Sequence, residues 1–172
     1  MSDTIAPLEA RLAMAQTVTD QPDGPGKRIG KRGELTMIGN VLPGGAALFR
    51  ERLPRFQAEA AYWEDRVGTV QDFRILLFDN DTRFLLSLVY DGDFEPYLVD
   101  ITTQAHQWLD FFATDVLEGY PGLTSPTAAD WVKSLMHPAE FFYVGAPDAS
   151  VRDIKKMEKL SKAVSDLLDA AS

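Results

Sequence analysis

The 172-residue chain has no cysteine, which excludes disulfides, thiolate metal sites and a cysteine nucleophile. It has only two histidines, His106 and His137, so a histidine-based metal or haem site would have to use one of them. No H-x-x-x-H pattern and no acidic cluster at ligand spacing accompanies them, so no bound metal is expected. The Asp79-Asn80-Asp81 and Asp91-Gly92-Asp93 segments lack the fixed acidic spacing and terminal Glu of a calcium loop, and they read as turns. Basic charge is scarce. Seventeen Lys and Arg face 26 Asp and Glu, giving a formal net charge of −9, which opposes nucleic acid phosphates and anionic membrane surfaces. No apolar run approaches the roughly 18 residues of a membrane span, and no basic-plus-apolar leader is visible. A cytoplasmic protein is the expectation. Hydrophobic residues make up 45% of the chain, enough for a packed core.

The most informative stretch runs from Asp72 to Asp91, where two apolar runs, Phe73–Phe78 and Phe84–Tyr90, flank the polar break Asp79–Arg83. Asp and Asn side chains bond their own backbone and tolerate left-handed geometry, so the break predicts a hairpin loop. Both runs are apolar on both faces, which requires cover on both. Upstream, residues 1–19 predict a short amphipathic helix through Leu8, Leu12 and Ala15, and Asp20–Gly33 reads as a Pro/Gly-rich linker. Its KRIGKR segment lacks the GxxxxGK[ST] phosphate-loop pattern and reads as a solvated connection. Residues 1–33 therefore form an extension to a domain over 34–172.

Within that domain, Glu34–Leu42 predicts a strand. Phe49, Leu53, Phe56, Ala60 and Trp63 mark one face of a helix over Ala46–Asp65, with Pro54 inside it. Asp93 is placed to cap a second helix from Phe94 to about Val116, with Tyr97, Ile101, Ala105, Trp108, Phe112 and Val116 on its inner face. Leu117–Pro126 reads as loop, Thr127–Met136 as a short helix ended by His137-Pro138, and Glu140–Gly145 as a fourth strand. Ser150 and Asp153 resemble a capping box for a last helix, Val151 to about Ala170, whose stripe is Ile154, Met157, Ser161, Val164 and Leu168. Strand, helix, strand, strand, helix, strand is the ferredoxin-like βαββαβ order, an α+β fold with an antiparallel sheet and helices on one face. The other sheet face would be bare and apolar in a monomer, and a second copy related by a two-fold axis is the simplest cover.

Glu34–Gly145 resembles the dimeric α+β barrel superfamily. Within it, the LLFDN and LLSLVYDGDFEPYL runs, the EGYPG segment Glu118–Gly122 and the FYVGAPDASVRDI segment Phe142–Ile154 are similar to an uncharacterised bacterial group. The resemblance implies a dimeric α+β barrel with a pocket between sheet and helices. Relatives in that superfamily include cofactor-free monooxygenases, lactone isomerases and haem-binding peroxidases and chlorite dismutases. No distal haem signature of arginine plus aspartate is visible here, and haem is not favoured.

Arg74 is the single charge inside the Phe73–Phe78 run, and it is either an anion anchor in a pocket or half of an ion pair with Asp72, Asp91 or Glu118. His106 is the candidate general base, against a plain helical histidine. Tyr90, Trp108, Tyr120 and Tyr143 are candidates to line an apolar, ring-accepting pocket, against core packing. Asn40 and Ser87 are further polar groups on the strands. The expected function is a homodimeric small-molecule-binding protein, in the manner of a metal-free oxygenase or isomerase acting on an apolar or aromatic substrate. The alternatives are a haem-dependent oxidoreductase with His106 or His137 as axial ligand, and a non-enzymatic assembly module.

Overall fold

The computed structural model describes residues 15–170. The N-terminal helix expected over 1–19 lies mostly outside the described residues. Its last part is not helical, because Thr19–Asp20 forms strand β1.

Asp20–Gly33 is not a bare linker. β1 pairs antiparallel with β2 (Lys27–Ile29), which pairs in turn with β3 (Arg32–Asn40). All four cations of KRIGKR are held by aspartates. Lys27 meets Asp20 at 2.6 Å, Lys31 meets Asp153 at 3.3 Å, Arg28 pairs with Asp93, and Arg32 pairs with Asp91. Proline and glycine turn the chain here, but ion pairs fix where it goes.

β3 leads into α1 (Gly45–Val67), which continues through Pro54 and ends where Gly68, at φ +67°, donates its N–H to Glu64 O at 2.7 Å. β4 (Val70–Phe78) and β5 (Arg83–Asp91) form the expected hairpin, with Asp79, Asn80 and Asp81 all left-handed in its loop. The second helix is α2 (Phe94–Asp100), a π-helical turn (Ile101–Ala105) and α3 (His106–Ala113). Asp93 does not cap it. The Asp23 carboxylate does, accepting from Phe94 N at 3.0 Å and Glu95 N at 2.8 Å, while Asp93 pairs with Arg28. α4 (Ala128–Leu135) and α5 (Val151–Ala170) follow. The Ser150–Asp153 box forms in both directions, Ser150 N to Asp153 Oδ2 at 2.9 Å and Asp153 N to Ser150 Oγ at 3.1 Å.

The fold is α+β, with one five-stranded antiparallel sheet in the order β1-β2-β3-β5-β4. Leu35 and Met37, Phe84, Leu86, Leu88 and Tyr90, and Phe73, Ile75 and Leu77 project to one face. There they pack against Phe49 and Phe56 of α1, Tyr97 of α2, Phe112 of α3 and Val132 of α4.

The fourth strand expected at Glu140–Gly145 is absent. The returning chain touches β3 at Met136 and at His137, whose N–H reaches Thr36 O at 2.8 Å. Pro138 has no donor to continue a ladder. The next donor, Ala139 N, goes to the buried Glu34 carboxylate at 3.0 Å, which also accepts from Lys27 N at 2.9 Å. Tyr143–Ala146 then crosses the second sheet face beside Val89.

That second face is divided. At one end Arg32, 1% exposed, pairs with Asp91 across the β3–β5 register and donates to Ala146 O at 3.5 Å. Asp91 also accepts from Val151 N at 2.7 Å, the first amide of α5. At the other end lies the apolar cross-strand row Ile38–Leu85–Leu76, with Leu76 51% exposed and Ile38 and Leu85 half-buried. Between them runs the polar row Thr36–Ser87–Arg74. The face is therefore less apolar than its strands suggested.

Two predictions follow from these contacts. Replacing Asp91 by Ala leaves a buried guanidinium without its counter-charge and costs about 3–5 kcal/mol. For a chain of this size that is a drop in Tm of about 10 °C by circular dichroism. The double change Arg32→Met, Asp91→Leu recovers most of it, and a single-variant drop under about 2 °C would refute the role. The second concerns acid. Hydrogen bonds from Ser150, then Lys31, hold the Asp153 carboxyl down at about 2, below its ordinary 3.8. A depressed carboxyl stabilises the fold above its ordinary value, and that contribution fades as pH falls from about 4 toward about 2. Ser150→Ala should move the Asp153 titration, followed by carboxyl NMR, up toward the ordinary value.

Candidate functional site

α1 and the α2–α3 helix cross over the β4 side of the sheet with small residues facing each other, Ala60 and Ala61 from one and Ala105 from the other. Small side chains there cannot fill the space between the helices. The result is an apolar cleft of about 300 Å³, walled by Trp63, Val67, Val70, Phe73, Tyr97, Ile101, Trp108 and Leu109. A smaller apolar cavity of about 70 Å³ lies deeper, between the sheet and α2, α3 and α4, and shares Phe73, Tyr97, Ile101 and Leu109 with the cleft. The π turn begins and ends on two wall residues, Ile101 and Ala105. Such turns insert an extra residue and re-aim the side chains after it.

The walls are held firmly. Trp108 stacks on Phe56 with ring centroids 4.1 Å apart and donates its indole N–H to Phe56 O at 2.9 Å. Tyr97 stacks on Tyr90 at 4.2 Å. Burial, then the Tyr90 hydroxyl, pushes the Tyr97 phenol far above its ordinary range, so Tyr97 stays neutral.

Carboxylate and amide groups lie at the rim: Glu64, Gln71 and Asp72. Each charge among them is already matched. Lys155 of α5 meets Glu64 at 2.9 Å, and Arg74 meets Asp72 at 2.9 Å. With its amide oxygen turned toward them, Gln71 accepts from Arg32 Nη1 at 2.7 Å and Val151 N at 3.1 Å.

The six residues singled out from sequence do not converge. Trp108 lines the cleft, and Tyr120 lines the inner cavity, its hydroxyl bonded to Asp110. Tyr90 is fully buried behind Tyr97, its hydroxyl without a hydrogen-bond partner among the described residues. Arg74 stands exposed on the opposite sheet face and reaches the rim only through Asp72. Tyr143 is 67% exposed on the returning segment. His106 follows the π turn, half-buried, its Nδ1 buried and without a hydrogen-bond partner among the described residues, and it does not line the cleft. Ala60, Trp63, Tyr97, Ile101, Ala105 and Trp108, which do line it, were read as inner helix stripes. The missed signal is alanine beside an aromatic in both stripes, Ala60 with Trp63 and Ala105 with Trp108.

The residues of the cleft do not fit haem. Neither His106 nor His137 lines it, so it supplies no imidazole axial ligand. Among the described residues no group of three or more His, Asp and Glu is placed to hold a metal ion, and no helix is long and apolar enough to cross a membrane. The chain matches no family model, no curated protein and no solved structure.

Proposed function

We propose that this protein binds a small, uncharged, largely apolar molecule with a ring system in the cleft between α1, α2–α3 and β4. The observation that carries the reading is an apolar space with Trp63, Phe73, Tyr97 and Trp108 on its walls and a rim whose charges are already neutralised. Aromatic walls favour rings by offset or edge contact. A charged ligand would have to compete with Lys155 for Glu64 or with Arg74 for Asp72. The volume is near the lower end of the roughly 300–1,000 Å³ of ligand sites, which favours a small ligand.

Binding is better supported than a reaction. The wall's one titratable group, Tyr97, is held neutral, and His106 lies off the wall. A metal-free isomerase or oxygenase would therefore have to use Glu64 or Asp72 at the rim as its base, after release from their cations.

A ferredoxin-like core and a homodimer belong to the same proposal. The order β3-β5-β4 of the long strands, with α1 and α2–α3 on one face, supports the former. The apolar Ile38–Leu85–Leu76 row, with Leu76 exposed, supports a second copy over the other face, the arrangement that the barrel resemblance implies.

Titration of the purified protein with an uncharged aromatic dye such as Nile red, followed through quenching of tryptophan emission, tests the cleft. Ala61, exposed on α1 at the cleft, allows it to be filled from outside. Ala61→Trp should weaken dye binding at least tenfold while Tm stays within about 2 °C of the parent. Ala60→Phe should act in the same direction. Unchanged dye affinity in both variants would remove the cleft as the site.

A further inference from the structure

The cleft continues inward. Phe73, Tyr97, Ile101 and Leu109 line both the cleft and the inner cavity, so they are the partition between the two spaces. Three of them come from the second helix, Tyr97, Ile101 and Leu109, at spacings of four and eight residues. In a regular helix, residues four apart drift round the axis by about 40° per step. The wider π turn at Ile101–Ala105 offsets that drift, and the row from Tyr97 to Leu109 stays between the two spaces.

The inner cavity differs from the cleft in what it can hold. Its volume of about 70 Å³ is under half of the roughly 150 Å³ that an apolar cavity needs to take benzene, so a ring stays outside. At about 10–15 Å³ for each water-sized group, it admits a chain of roughly five carbons. Leu86 and Leu88 of β5, Phe112 and Ala113 of α3 and Val132 of α4 line it and are all buried. The hydroxyl of Tyr120, another wall residue, is bonded to Asp110. An apolar void of this kind stays dry, and its lining lacks the contacts that a close-packed interior supplies. An alkyl chain would restore them.

Phe73 is the part of the partition with room to turn. Its ring centroid lies 6.0 Å from that of Trp108 and 6.2 Å from that of Phe56, whereas Trp108 stacks on Phe56 at 4.1 Å and Tyr97 on Tyr90 at 4.2 Å. It also borders a surface groove beside Leu53, Gln57 and Ile75, into which its ring can swing. We propose that cleft and inner cavity are two halves of one site, and that its ligand is a ring bearing an unbranched alkyl chain of roughly five carbons. The ring sits between Trp63 and Trp108, and the chain passes Phe73 into the cavity. This rests on the reading of the cleft as a ring site, and it names what the ligand carries besides the ring.

Calorimetric titration with 4-alkylphenols, which are uncharged at neutral pH, tests the joined site. From 4-methylphenol to 4-pentylphenol the affinity for the parent protein should rise about fourfold per methylene, the effect of burying one CH₂. It should level off from about 4-hexylphenol onward, where the chain outgrows the cavity. Val132 lines the cavity and not the cleft, so its size should move that break. Val132→Phe should cut the rise from methyl to butyl from about 60-fold to under about fivefold, and Val132→Ala should carry the rise about one or two carbons further. An affinity that climbs without a break to 4-octylphenol, one that falls from the first added methylene, or a break that stays at the same length in a folded Val132 variant would each overturn the joined site and leave the cleft as a ring site. If neither variant folds by circular dichroism, the parent series alone decides. Phenols that fail to bind, or whose binding is unchanged by Ala61→Trp, would remove the ring site and this inference with it.

Discussion

The Arg32–Asp91 pair is the constraint on which the arrangement of the other elements depends. It lies across the β3–β5 register, under a segment that has no ladder of its own. Burial lowers the affinity of Arg32 for its proton, and only a close carboxylate makes a buried guanidinium tolerable. Once formed, the pair leaves donors and acceptors pointing outward. Ala146 O takes one guanidinium N–H, and the free carboxylate oxygen of Asp91 takes Val151 N. The same pair thus anchors the returning chain and sets the origin of α5. Glu34 works in a similar way at the next position on that face, its carboxylate gathering amides from β2 and Ala139. Two charged side chains do the joining that a fourth strand would have done.

This explains which parts of the fold were legible in the sequence. The helices and the β4–β5 hairpin depend on short-range patterns, a 3.6-residue stripe or a run of Asx residues, and they lie close to where the pattern places them. The fourth strand was inferred from apolarity alone, in EFFYVG. A strand needs a neighbour with free amides and carbonyls. After His137 the returning chain offers no donor in line, because Pro138 has no amide hydrogen and Ala139 N goes to the Glu34 carboxylate. The β1–β2 hairpin was obscured for the opposite reason: its Pro and Gly signal a break, while the aspartates that pin it are at 91, 93 and 153, far along the chain. The helix cap moved from Asp93 to Asp23 because Arg28 draws Asp93 away. Long-range charge pairing has no local signature.

The site was legible in its materials and not in its shape. Trp63, Tyr97, Ile101 and Trp108 were placed on inner helix faces, and they are the walls. Nothing in a stripe says whether two facing alanines close up or leave a gap. That depends on how far apart the helices are held, here by Phe56 stacked on Trp108 and packed on Phe112. The polar candidates were chosen because charge is scarce on those strands. Scarcity marked Arg74 correctly as unusual, but its partner is Asp72, two residues away on the same strand face, which keeps it outside the cleft.

Cleft and α5 meet at one place. Glu64 at the cleft rim holds Lys155, and Gln71 beside it faces Val151 and Arg32. One of the two bridges that neutralise the rim, Glu64–Lys155, therefore also holds the helix root. An apolar ligand can enter between the tryptophans without touching either bridge. A ligand carrying an ammonium group would compete with Lys155 for Glu64, and one carrying a carboxylate would compete with Asp72 for Arg74. Either would loosen a bridge at the rim in order to bind. The preference for an uncharged ligand thus follows from how the body holds its last helix as much as from the apolar walls.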